Sequence, residues 1–110
     1  MPLTVFYLDD EEKLCDVFKE YLETEAIHIV TFTEPEEAIE ACLKKAPDLL
    51  FIDYRLPATT GDEVAFAIAN SIPKVLVTGD LSLTPSYDFL TIISKPYDLK
   101  EIDKLLEKFL

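Results

Sequence analysis

Residues 3–11 read Leu3-Thr4-Val5-Phe6-Tyr7-Leu8-Asp9-Asp10-Glu11, a short apolar run that stops on adjacent carboxylates. The pattern recurs along the chain. Leu49–Ile52 runs into Asp53, Val75–Val77 into Thr78, and Thr91–Ser94 into Lys95 followed by Pro96. Short runs rich in Val, Ile and Phe, with helical patterns between them, are expected to be buried strands of a parallel sheet. Parallel strands point one way, so their carboxyl ends share one edge, and open α/β sheets bind ligands there. The sequence therefore places three carboxylates, a hydroxyl and an ammonium at a single site.

Between these runs the apolar spacing turns helical. Leu14, Val17, Phe18, Tyr21 and Leu22 mark one face of a helix from about Asp10 to Glu23. Ala26–Phe32 reads as a further strand. Thr33 with Glu36 reads as a capping box, with Pro35 tolerated in the first turn, ahead of a helix that turns Ala38, Ile39, Cys42 and Leu43 inward. Gly61 precedes a third helix with Val64, Ala65 and Ile68 on its apolar side. Asp98 and Glu101 bracket the start of a last helix whose stripe is Leu99, Ile102, Leu106 and Phe109. Five strands and four helices joined by right-handed crossovers give an α/β, doubly wound, three-layer domain. From Thr78 to Lys95 there is little room for a full helix. Asp80–Tyr87 holds Pro85 and several Ser and Thr residues, so a loop or about one helical turn is expected, more mobile than the other crossovers.

A chain of 110 residues is one domain by length, 1–110, and buries roughly two thirds of its unfolded surface. The net charge of −12 argues against direct nucleic-acid binding and against anionic membrane surfaces, and favours a cation or a basic partner. The apolar runs are too short to span a bilayer and no signal segment opens the chain, so a cytoplasmic location is expected. Cys15 and Cys42 fall in predicted helices and are expected to be free thiols. The one histidine, His28, lies in a predicted strand and reads as a strand residue, not a metal ligand.

Crowded carboxylates repel, and one takes up a proton unless a cation compensates. Hard oxygen ligands at short range suit magnesium, which favours one or two carboxylates plus a phosphate. A carboxylate can also act as nucleophile and form an aspartyl phosphate. Phosphoryl transfer needs mainly positioning and charge neutralisation, which an ammonium and a hydroxyl donor help supply. Asp9, Asp10, Asp53, Thr78 and Lys95 match those parts. The two glycines, Gly61 and Gly79, fall near the same edge, and Gly79 can admit a phosphoryl group to the backbone. Taken singly, Asp9 or Asp10 can be a helix cap, Asp53 a turn residue, Thr78 a cap, Lys95 a solvated strand end, and Pro57 and Pro96 loop punctuation. Their joint placement after consecutive strands makes a purely structural account improbable.

The chain resembles, end to end, the receiver domain of bacterial two-component response regulators. The resemblance rests on Asp9-Asp10-Glu11 after the first strand, Asp53-Tyr54-Arg55-Leu56-Pro57 with Gly61 after the third, then Thr78-Gly79 and Lys95-Pro96. It implies a flavodoxin-like sheet of order 2-1-3-4-5, and Asp53 as acceptor of a phosphoryl group from a histidine kinase or histidine phosphotransfer protein. It further implies that Asp10 ligates magnesium directly, Asp9 holds metal-bound water, and Arg55 offers its backbone carbonyl to the metal. Thr78, Gly79 and Lys95 would bind the phosphoryl group, with the Lys95–Pro96 bond cis. The chain departs from the family at the switch position, where Ile92 replaces an aromatic residue, and in the shortened fourth helix. Arg55 and Asp80 flank the acceptor and can pair across the site mouth, restricting attacking water.

The expected function is thus a stand-alone, magnesium-dependent phosphoacceptor. It is not an enzyme beyond taking up and slowly hydrolysing its own phosphoryl group, and it signals by contact with a downstream protein target, since no effector domain follows Phe109-Leu110. An alternative is a binding module of the same fold whose output no longer depends on phosphorylation. A magnesium-dependent phosphohydrolase is disfavoured, because Arg55 stands two residues after Asp53 and no substrate-enclosing cap is encoded.

Overall fold

The structure is a computed structural model that describes residues 2–80 and 82–110. Leu81, inside the expected short connection, lies outside the described residues. In chain order the elements are β1 (Leu3–Leu8), α1 (Glu12–Leu22), β2 (Ile27–Phe32), α2 (Pro35–Lys44), β3 (Leu49–Asp53), β4 (Arg55–Leu56), β5 (Thr59–Thr60), α3 (Gly61–Phe66), β6 (Lys74–Thr78), β7 (Thr91–Ser94) and α4 (Leu99–Glu107). The main sheet is parallel, in the order β2-β1-β3-β6-β7, so the expected 2-1-3-4-5 arrangement holds. Strands β4 and β5 form a separate antiparallel ribbon. It was not foreseen, because two-residue strands carry no readable periodicity.

Strand alternation divides the core in two. Val5, Tyr7, Leu49, Phe51, Val75 and Val77 face α1 and α4, where Cys15, Phe18, Leu22, Ile102 and Leu106 complete one cluster. Phe6, Leu8, Leu50 and Ile52 face the other way, against Ala38, Cys42, Val64, Ala65 and Ile68. The central strands are apolar on both faces because helices cover both. Each fully buried large side chain, Phe18 for example, contributes roughly 1.5–3 kcal/mol by its removal from water.

Three details of the helices differ from expectation. Val17 and Tyr21 are half exposed, and the inward face of α1 is Cys15, Phe18 and Leu22. Residues 17 and 21 each sit about 100° around the helix from an inward neighbour, enough to leave the sheet. Leu43 is exposed on α2 in the same way. The capping box does not form: Glu34 is the N-cap of α2 and makes no side-chain cap bond. With Pro35 as the first helical residue, Glu36 falls at the second position, one short of a box with Thr33. Caps do form at Thr60, which accepts from the Glu63 N–H, and at Asp98, which accepts from Lys100. Between Thr78 and Thr91 no helix forms among the described residues.

Candidate functional site at the carboxyl edge of the sheet

β1 and β3 deliver their terminal carboxylates side by side. Leu8 pairs with Ile52 in register, so Asp9 and Asp53 emerge together one residue later. Asp9, Asp10 and Asp53 each bring a carboxylate oxygen within 4.8 Å of the others. Asp9 is fully buried and Asp53 nearly so, whereas Asp10 is exposed. From the other side of the edge, Lys95 reaches in after β7. Its Nζ lies 2.9 Å from Asp9 Oδ2 and 3.3 Å from Asp53 Oδ1. The backbone N–H of Lys95 donates to the Thr78 carbonyl at 2.8 Å, which fixes the lysine beside β6. The Lys95–Pro96 peptide bond is cis.

The electrostatics follow from this crowding. Burial first, then the Asp9 charge, push the Asp53 carboxyl up to about 6, against the pull of Lys95. Burial draws the Lys95 ammonium down, but its bonds to Asp9 and Asp53 outweigh that and hold it above the ordinary lysine range. One ammonium thus offsets part of a three-carboxylate cluster, and the remaining negative charge and free oxygens fit a hard divalent cation. The space over Gly79 is open: a Cβ there would meet only the Lys95 Cβ, at 3.9 Å. Beyond that contact nothing crowds the Gly79 backbone, which leaves it accessible from the site. Gly61 has a different reason to be glycine. A Cβ there would come within 2.9 Å of the Asp53 carbonyl, because the Gly61 N–H closes onto the Tyr54 carbonyl at 2.7 Å.

The periphery is more varied. Thr78 is buried and its Oγ1 accepts from the Asp80 N–H at 3.1 Å. Arg55 and Asp80 approach to 3.4 Å across the mouth, with Arg55 largely exposed. Ser82 holds the Asp80 carboxyl below its usual range, with a smaller pull from Arg55. Ile92, at the expected switch position, is 48% exposed on the edge strand β7. It borders a groove with Ile93, Pro96, Asp98, Glu101 and Leu105.

Three polar side chains escaped the sequence reading. Tyr7 donates to Asp9 Oδ2 at 2.6 Å, and Tyr97 meets the Tyr7 hydroxyl at 3.1 Å. A signal for Tyr7 was present, because residues two apart on a strand share a face. Lys74 is buried at the opposite end of β6, where its ammonium donates to the carbonyls of Ala69 and Ile72 and to the Tyr87 hydroxyl. Nothing in an isolated lysine at a strand start marks it as buried.

Known proteins resemble this chain in sequence and in fold. The family model for the response regulator receiver domain matches residues 5–107. Sensory transduction protein LytT of Bacillus anthracis is 30% identical over 119 residues, covering 97% of this chain and 47% of LytT. Regulatory protein VanR of Enterococcus faecium is 28% identical, with 84% of this chain and 43% of VanR covered. The chain spans about half the length of these curated relatives. Among solved structures, response regulator TrrA of Thermotoga maritima, in complex with Mg2+ and BeF, superposes with a TM-score of 0.85 at 26% identity, each chain covered in full. A receiver domain protein of Methanospirillum hungatei gives a TM-score of 0.88 at 21% identity over 99% of this chain and 94% of its own, a likeness of fold. Family match, sheet order and acidic edge agree, and the chain belongs to the response regulator receiver domain family of two-component signalling.

Proposed function

We propose that this chain is a phosphoacceptor receiver, 1–110, in which Asp53 takes a phosphoryl group from a phosphohistidine of a histidine kinase or phosphotransfer protein. The observation that carries it is the three-carboxylate cluster bridged by Lys95. An Asp53 carboxylate oxygen attacks phosphorus, the P–N bond breaks, and the imidazole nitrogen leaves with the electron pair. Lys95 and Thr78 receive the phosphoryl oxygens, and the open face of Gly79 gives them room. Asp10, Asp53 and the Arg55 backbone carbonyl would hold magnesium, with Asp9 anchoring its water, and the ion would neutralise charge developing on the phosphoryl oxygens. The Mg2+ and BeF complex of the similar TrrA supports magnesium as the ion. Catalysis is confined to the chain's own phosphorylation and slow dephosphorylation. Arg55 and Asp80 restrict attacking water, so dephosphorylation should quicken in Arg55→Ala and Asp80→Ala; unchanged rates would remove that role.

Backbone amide NMR with magnesium and then beryllofluoride tests the reading. Shifts at Asp53, Thr78, Gly79 and Lys95 are expected, and Asp10→Asn should weaken magnesium binding about tenfold or more. No response to either addition would instead favour a second reading, a receiver-shaped module with phosphorylation-independent output. The exposed Ile92 and the lack of a helix among the described residues between Thr78 and Thr91 are its support. Among the described residues no helix is long and apolar enough to cross a membrane. The acidic surface fits protein partners better than nucleic acid.

A further inference from the structure

Phosphorylation of Asp53 sets the fold a problem at Asp9. In the structure Lys95 serves both carboxylates, at 2.9 Å and 3.3 Å. Once one Asp53 oxygen becomes an ester oxygen, the three phosphoryl oxygens stand beyond it. An ammonium that follows them withdraws from Asp9. Asp9 is fully buried, and a buried carboxylate that loses its charged partner is strongly destabilising unless other donors remain.

Tyr7 is placed to be such a donor, on the oxygen that Lys95 would leave. Its hydroxyl reaches Asp9 Oδ2, the same oxygen that Lys95 holds, while the Glu11 N–H serves Oδ1 at 2.9 Å. With its proton given to Asp9, the Tyr7 oxygen can only accept from Tyr97. The two rings are braced. Tyr7 stacks on Phe18 with centroids 4.1 Å apart, and Tyr97 meets both edge-on. A phenylalanine at position 7 would satisfy that packing, so the hydroxyl is kept at the cost of burial only where it has a partner to serve.

We propose that Tyr7 is a positioning residue: it keeps Asp9 hydrogen-bonded while Lys95 passes from Asp9 to the phosphoryl group, with Tyr97 as the second link of the chain. The inference rests on the phosphoacceptor reading. It also supplies a path from the acceptor to the surface that does not use Ile92, because Tyr97 borders the apolar groove formed with Leu14, Val17 and Leu99.

The test compares two affinities in wild type and Tyr7→Phe, first for magnesium alone and then for beryllofluoride in magnesium-saturated protein. Only the second asks Lys95 to leave Asp9. Tyr7→Phe is expected to weaken beryllofluoride binding about tenfold more than it weakens magnesium binding, because Lys95 and the Glu11 N–H still hold Asp9 in the magnesium form. Equal losses in both affinities, or no loss in either, would overturn the proposal. Should Tyr7→Phe not fold, the wild-type protein labelled at tyrosine Cζ decides the matter. The Tyr7 resonance should move when beryllofluoride is added to the magnesium form, and a stationary resonance contradicts the hand-over. Wild type that binds no beryllofluoride removes the phosphoacceptor reading, and this inference falls with it, an outcome distinct from a failure of Tyr7→Phe alone.

Discussion

At the β1–β3 end of the sheet edge, Asp9 and Asp53 are 0% and 6% exposed and each has named partners, whereas at the β7 end Leu90 and Ile92 are 56% and 48% exposed. The first region holds charges in fixed positions by burying them among donors. The second is an edge strand reached by a connection that lacks a helix among the described residues. Phosphoacceptor chemistry tolerates little displacement, because carboxylates and ammonium must converge within hydrogen-bonding range. A surface that passes a signal to another protein has no such common geometry to keep. On the proposed phosphoacceptor reading, the contrast is between an acceptor end held to the requirements of its chemistry and an output end free to differ.

The connection is nonetheless tied down, and its anchors are the first place to break the comparison. Ser86 donates from both its N–H and hydroxyl to Asp62 Oδ2, at 2.7 and 2.8 Å. Tyr87 packs against Phe66 and Phe89 and accepts from Lys74. Lys74→Ala strands the buried Ile72 carbonyl and takes one donor each from the Ala69 carbonyl and the Tyr87 hydroxyl, and should cost about 2 kcal/mol in chemical denaturation. Hydrogen exchange should rise in residues 82–91 while magnesium binding stays intact. A cost under about 1 kcal/mol would mean that the connection carries no structural weight.

The acidic end is expected to respond to ligand. Magnesium at tenfold excess over its dissociation constant should stabilise the fold by about 1.4 kcal/mol, read as a rise in melting temperature. Indifference to magnesium would count against the assigned ligands. In metal-free protein the Asp53 carboxyl, pushed up to about 6, keeps its proton where the unfolded chain has lost it. The resulting stability is complete below about pH 4 and is lost as pH rises through about 6. Asp53→Asn should therefore flatten the stability profile between those values and gain about 1 kcal/mol at pH 7, a figure discounted for solvent screening. An unchanged slope would show that Asp53 does not feel its neighbours. The smallest effect is expected at the output end, where Ile92→Ala should change stability by less than about 0.5 kcal/mol and leave phosphorylation untouched.

Much of this was legible in the sequence, and the part that was not has a physical cause. Apolar runs ending in Asp9, Asp53, Thr78 and Lys95 disclosed the sheet and the edge where these residues gather, because a parallel sheet converts strand ends into neighbours. The helices were found, but Val17, Tyr21 and Leu43 were assigned inward, since an apolar residue beside a helix stripe reads the same whether it faces the sheet or water. Tyr7 was read as core and nothing more, because inside the run Val5–Leu8 its hydroxyl leaves no trace in the hydrophobic pattern. Tyr97 meets Tyr7 from 90 residues away and Lys74 meets Tyr87 from 13, through packing that no local pattern encodes. Ala58 is similar: it turns the tip of the β4–β5 ribbon with φ of 63°, a conformation usual for glycine, and only the structure reveals it.

The central claim is that Asp53 accepts a phosphoryl group at this edge. Its most direct test is intact-protein mass spectrometry after incubation with magnesium and a small-molecule phosphodonor such as acetyl phosphate. Wild type should gain the mass of a single phosphoryl group and Asp53→Asn none. No gain by wild type, or an equal gain by Asp53→Asn, would contradict the account.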